Sequence, residues 1–167
     1  MVNLKASNVF YLVVFALLLF VDLWTKNFID SRLALGDSVP VIEGFFNITL
    51  VYNYGFAFGT LTHASWLIKS ILTLVIIAFL SFLGYWIYDK ETYFWRRFSL
   101  VLILAGGIGN LIDRLVFGYV RDFFDFYLQE FHWPAFNFAD IYISCGVVLF
   151  LILDWWSPKH SSKQESK

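Results

Sequence analysis

The stretch Val9–Asn27, VFYLVVFALLLFVDLWTKN, decides the fold. It is apolar from Val9 to Val21 and only then carries Asp22, Thr25 and Lys26. A helix needs about 20 mostly apolar residues to cross a bilayer. A lysine ahead of an apolar run also suggests a cleaved leader, but no small-x-small site follows this run, so it reads as a retained first span. Working outward, Ser65–Tyr88, Phe98–Ile112 and Phe138–Trp156 qualify in the same way. The third is the shortest and is rich in glycine through Ala105-Gly106-Gly107-Ile108-Gly109. Small residues there let a neighbouring helix approach closely.

Composition agrees. Of 167 residues, 59% are apolar, 22% aromatic and 15% charged, and the mean hydropathy is +0.67. Soluble domains run nearer ~45–50% apolar and ~25% charged, so lipid is needed to cover this surface. A net charge of −1 argues against nucleic acid as a partner. The single Cys145 excludes an internal disulfide and a cysteine-based zinc site. His63, His132 and His160 lack metal-ligand spacing and read as ordinary loop or tail residues. No metal or organic cofactor is implied.

Basic residues set the orientation. Lys5, Lys90, Arg96, Arg97, Lys159, Lys163 and Lys167 fall on one side, against Lys26, Arg32, Lys69, Arg114 and Arg121 on the other. The first side is therefore cytoplasmic and holds both termini. Trp24, Trp66 and Trp133 fall near one interface and Trp86, Trp95, Trp155 and Trp156 near the other, as an aromatic belt requires. The expected fold is an all-α integral membrane protein. It has four transmembrane helices with a small extracytoplasmic β-sheet and loop at the outer surface. Residues 1–157 form one domain with outer loops at about 28–64 and 113–137, and 158–167 form a polar, disordered cytoplasmic tail. In the first outer loop, Ser38–Ile42 and Phe46–Tyr52 have strand-like composition around Glu43-Gly44. No internal repeat is visible, which weakens a carrier reading.

Ionisable residues at membrane depth are costly and point to function. Here they gather at the outer span ends: Asp22 and Lys26, then Asn110, Asp113 and Arg114, then Asp122 and Asp125, then Asn137 and Asp140. Each has a plain structural reading. Asp22 and Lys26 form an i,i+4 pair. Arg114 snorkels to the interface. Asn137 caps a helix with Asp140 in its first turn. Asp122 and Asp125 are solvated loop acids. None of these explains the convergence at one depth. If the second outer loop returns on itself, Asp122 and Asp140 come together beside an apolar wall. Two carboxylates in one site do not both ionise cheaply. One base and one acid then coexist at neutral pH, which is what water activation requires. Spacing alone does not separate Asp122 from Asp113 and Asp125.

Five blocks occur in order: Asp22-Leu23-Trp24-Thr25-Lys26, Asn53-Tyr54-Gly55-Phe56-Ala57-Phe58-Gly59, Gly109-Asn110-Leu111-Ile112-Asp113-Arg114, Val120-Arg121-Asp122-Phe123 and Phe136-Asn137-Phe138-Ala139-Asp140. In these blocks the chain resembles the lipoprotein signal peptidase (signal peptidase II) family, from Asp22 to about Asp154. The resemblance implies an aspartic endopeptidase of the bacterial inner membrane. It implies Asp122 and Asp140 as the catalytic pair, Asn53, Gly55, Asn110, Arg114 and Asn137 lining or supporting the site, and Asp22 with Lys26 as structural support. The implied partners are membrane lipids and diacylglyceryl-modified prolipoproteins, cut just before the lipidated cysteine by a monomer. Two positions depart from the family pattern. Phe56 stands where a small residue is expected and either narrows the groove or points into lipid. Leu23 stands where Gln is common. The alternative class is a non-enzymatic lipoprotein or lipid-binding chaperone, which would not need two aspartates.

Overall fold

The computed structural model describes residues 4–55, 66–87 and 93–156. Phe56, the rest of its block to Gly59, His63, His160 and the expected 158–167 tail lie outside the described residues. Four helices form: α1 (Leu4–Asp30), α2 (Trp66–Ile87), α3 (Phe94–Val116) and α4 (Phe138–Trp155). Each contains a stretch long and apolar enough to cross a membrane. Helical spans satisfy every backbone polar group internally, which lipid does not do for them. Their outward side chains, Leu12, Phe20, Leu74, Phe82 and Leu151 among them, are exposed and apolar. Lipid covers such a surface at no cost.

Helix α3 is the central element and packs on the other three. It is longer than the expected Phe98–Ile112 because both of its ends carry charge that hydropathy discounts. Arg96 reaches Asp154 at 2.9 Å, and Asp113 reaches Arg121 at 2.7 Å. Away from the sheet, Leu83, Leu100 and Ile103 make an apolar core with Trp86, Leu104 and Phe150. Towards the sheet the packing turns polar and very close. A Cβ at Gly106 would overlap the Ala139 carbonyl, and one at Gly109 would overlap the Asp22 carboxylate. Glycine at these two positions is what lets α3 meet α4 and α1.

The sheet contains β1 (Ser38–Ile42), β2 (Phe46–Asn53), β3 (Val120–Leu128) and β4 (Phe131–His132), antiparallel in that order. The two strands expected in the first loop are β1 and β2. Pro40, which has no N–H to donate, stands on the edge strand. The region 113–137 is not the plain loop expected: α3 runs on to Val116, and β3 pairs with β2 through Asn47↔Asp125, Val51↔Asp122 and Asn53↔Val120. Gly118 makes the turn from α3 to β3 with φ +81°, a left-handed conformation that glycine adopts without strain. The strand escaped the sequence reading because both its faces mix aromatics with charge. Buried partners, not solvent, take up those charges.

Candidate functional site

The site lies where α1, α3 and α4 meet β2 and β3. It starts from the cap of α4. The Asn137 side chain accepts from the Asp140 N–H at 3.0 Å, and Asp140 Oδ2 accepts from the Asn137 N–H at 3.1 Å. This capping box fixes Asp140 in the first turn, at the positive end of the helix. The plain reading of Asn137 is therefore correct, but it covers only part of the residue. Its Nδ2 donates to Asp122 Oδ1 at 2.6 Å and to Asn110 Oδ1 at 3.1 Å. Asn110 Nδ2 donates to Asp140 Oδ1 at 2.8 Å. Asn53 Nδ2, from the end of β2, donates to Asp122 Oδ2 at 2.9 Å. Asp122 and Asp140 are thus joined through asparagine amides.

Burial, and after it the negative charge of Asp140, pushes the Asp122 carboxyl up to about 7. The hydrogen bonds from Asn53 and Asn137 and the charge of Lys26 oppose this without cancelling it. Both aspartates line a cavity of about 460 Å³. Asn53, Asn110 and Arg114 share its polar head, while Ile76, Phe79, Leu80, Ile103 and Ile143 line its apolar body. The Arg114 guanidinium turns inward, donating to the Asn110 carbonyl at 3.3 Å and the Gly55 carbonyl at 3.4 Å. It does not snorkel.

A second polar group is closed. Lys26, Asp22 and Asp113 have no exposed side-chain surface. Lys26 Nζ donates to Asp22 Oδ2 at 2.8 Å and to Asn110 Oδ1 at 2.9 Å. The i,i+4 pair therefore exists, and it also fixes the Asn110 amide so that its Nδ2 points at Asp140. Asp22 Oδ1 accepts the Ala139 N–H at 3.0 Å, tying α1 to α4. Asp113 accepts three donors of Arg121, the closest at 2.7 Å, and Arg121 also reaches Asn27 at 2.6 Å.

Arg121 and Asn27 were given no site role from sequence, and Asp113 stood there only as an alternative to Asp122 in the pair. The available signal was strand alternation: if Asp122 faces the cavity, Arg121 faces the helices. Asp125 corrects an expectation. It is not a solvated loop acid; it is buried on β3 and accepts from Thr49 Oγ1 at 3.0 Å, with His132 Nδ1 at 2.7 Å. The hydroxyl of Thr49 and the ring of His132, brought over by β2 and β4, cover it. Among the described residues, no group of three or more His, Cys, Asp and Glu is placed to hold a metal ion.

Comparisons with known proteins bear on this arrangement. The family described as Signal peptidase (SPase) II matches residues 14–156. A lipoprotein signal peptidase of Syntrophus aciditrophicus is 42% identical over 153 residues, covering 90% of this chain and 94% of that one. One from Francisella tularensis subsp. novicida is 38% identical over 161 residues, covering 95% and 99%. A solved structure described as a bacterial membrane enzyme at 2.3 Å superposes with a TM-score of 0.79 at 29% identity, covering 99% of this chain and 94% of that one. Another, at 1.9 Å, gives 0.74 at 30% identity, covering 90% and 92%. A family match spanning both polar groups, with relatives this similar over nine-tenths of the chain, means that the chain belongs to the signal peptidase II family.

Proposed function

We propose that this protein is an aspartic endopeptidase that removes signal peptides from diacylglyceryl-modified prolipoproteins, with Asp122 and Asp140 as the catalytic pair. The observation that carries this is two carboxylates held by neutral amides at the polar head of an apolar cavity. Lys26 and Arg121 balance Asp22 and Asp113. Arg114 faces the same cavity as the pair. One negative charge on the pair is therefore balanced, and a second is not. Asp122, whose carboxyl sits at about 7, supplies the acid of the pair near neutral pH. The helix terminus and two N–H donors face the Asp140 carboxylate.

Ionised Asp140 takes a proton from water as the water oxygen bonds to the scissile carbonyl carbon. Asp122 gives its proton to the carbonyl oxygen. The tetrahedral diol then collapses: the C–N bond breaks, Asp140 protonates the departing amine, and one hydroxyl proton returns to Asp122. The products are a peptide acid and a free amino terminus, with the pair restored. Arg114, Asn53 and Gly55 hold the substrate backbone at the cavity mouth. The apolar body accepts the signal peptide, and its lipid chains stay in the bilayer. Residues 1–157 act as one unit, a monomer in the inner membrane. Arg96 and Arg97 stand at the end opposite the sheet, which supports a cytoplasmic position for that end and both termini, with the site at the outer face.

The test is cleavage of a diacylglyceryl-modified prolipoprotein by detergent-purified protein, with Asp122→Asn and Asp140→Asn alongside and folding checked for each. Wild-type cleavage should fall about 10³-fold or more in both variants. Cleavage at full rate in either folded variant would remove that aspartate from the pair. Wild type that binds substrate and never cuts it is a chaperone.

A further inference from the structure

Strand β3 has two edges. Strand β2 fills one of them. The chain returning from β4 follows the other: Leu128 pairs with Phe131 and Tyr127 with His132, the Trp133 N–H donates to the Phe126 carbonyl at 2.8 Å, and Phe124 pairs with Phe136. Between Trp133 and Phe136 stand Pro134 and Ala135, opposite Asp125 alone. The return therefore carries one extra residue, a bulge. Phe136 spends its main-chain groups on β3, donating to the Phe124 carbonyl at 3.2 Å and accepting from the Phe124 N–H at 2.8 Å. The N–H and C=O of Ala135 make no hydrogen bond to any described residue. On one flank Pro134 has no N–H. On the other, the Asn137 N–H is bound to Asp140. Ala135 is partly buried and lines the same cavity as Asp122 and Asp140.

A partly buried amide without a partner costs free energy, and so does an unwound peptide at membrane depth. A scissile bond must leave the helical ladder to be attacked, which frees its neighbours' N–H and C=O groups. We infer that Ala135 is a backbone positioning residue: its N–H and C=O pair with one extended substrate residue beside the scissile bond, adding a short antiparallel bridge to the sheet. The occupant is the substrate's own main chain because the free edge opens into the cavity that holds the pair. This rests on the peptidase reading. It adds a register that does not depend on substrate side chains, so one site accepts many sequences.

The experiment uses full-length Asp122→Asn protein, which holds uncleaved diacylglyceryl-modified substrate, and follows amide hydrogen exchange at Ala135. Exchange should slow about tenfold or more when substrate binds. In parallel, wild-type enzyme is given substrates N-methylated one at a time on either side of the scissile bond. One position should raise KM about tenfold, and that penalty should combine with that of Ala135→Pro to less than their product. Ala135→Gly, which keeps both backbone groups, should behave as wild type does. Unchanged exchange at Ala135, or penalties that multiply in full, overturns the inference. If Ala135→Pro does not fold, the exchange measurement decides alone. Wild-type cleavage of the diacylglyceryl-modified substrate without N-methylation, lost in Asp122→Asn, tests the peptidase reading separately.

Discussion

Two pairs of aspartates lie within one cluster of buried hydrogen bonds and do opposite things. Asp22 and Asp113 are bound by Lys26 and Arg121, with backbone amides filling further positions. Asp122 and Asp140 are bound by Asn53, Asn110 and Asn137 and face a cavity. A cation stabilises a buried carboxylate in its ionised form and makes it a strut. A neutral amide orients the carboxylate without neutralising it, and at Asp122 burial and the charge of Asp140 outweigh the amides. Asn110 joins the two groups, accepting from Lys26 and donating to Asp140. The closed pair therefore aims the donor that positions the open one.

Breaking the closed pair should cost most in stability. Asp113→Asn leaves Arg121 buried without its carboxylate and should lower stability by about 3–5 kcal/mol, read as a thermal shift in detergent. Lys26→Met should do the same through Asp22, and adding Asp22→Asn should recover much of the loss because the orphaned charge is gone. No recovery in the double variant would mean that Lys26 acts through Asn110 and Asp113.

A smaller effect sharpens the open pair. The proposed mechanism uses a proton on Asp122, whose carboxyl sits at about 7. kcat/KM should fall roughly tenfold per pH unit above about pH 7, as that proton is lost. In Asn53→Ala a hydrogen bond to the ionised form disappears, so the alkaline limb should move to higher pH. A limb that stays put would separate Asn53 from the proton. The same sign governs stability. A carboxyl raised from 3.8 to about 7 contributes fully below pH 3.8, and its contribution is lost as pH rises through 7. Smallest of all should be His132→Ala, which opens a half-exposed pair with Asp125 away from both groups. It should cost about 1 kcal/mol or less and leave cleavage unchanged.

Much of this was legible in the residues. The spans follow from unbroken apolar runs, and Asp22 with Lys26 from their one-turn spacing. Asn137 with Asp140 follows from cap chemistry, and β1 and β2 from β-branched composition around Glu43-Gly44. Strand β3 was not legible, because its charged residues look like a solvated loop until Asn27, Asp113, Thr49 and Asn137 are seen to satisfy them. The burial of Asp125 was missed for the same reason: Thr49, which donates to it, comes from a distant part of the chain.

That this protein lives in lipid, crosses it with four helices and gathers its costly polar residues at one end can be read from the residues alone. Those conclusions need only local hydropathy and spacing. Which aspartates are bound by cations and which by amides is set by the tertiary structure. It depends on whether a cation or an amide arrives from another element, and glycines at 106 and 109 let those elements come close enough for the choice to matter.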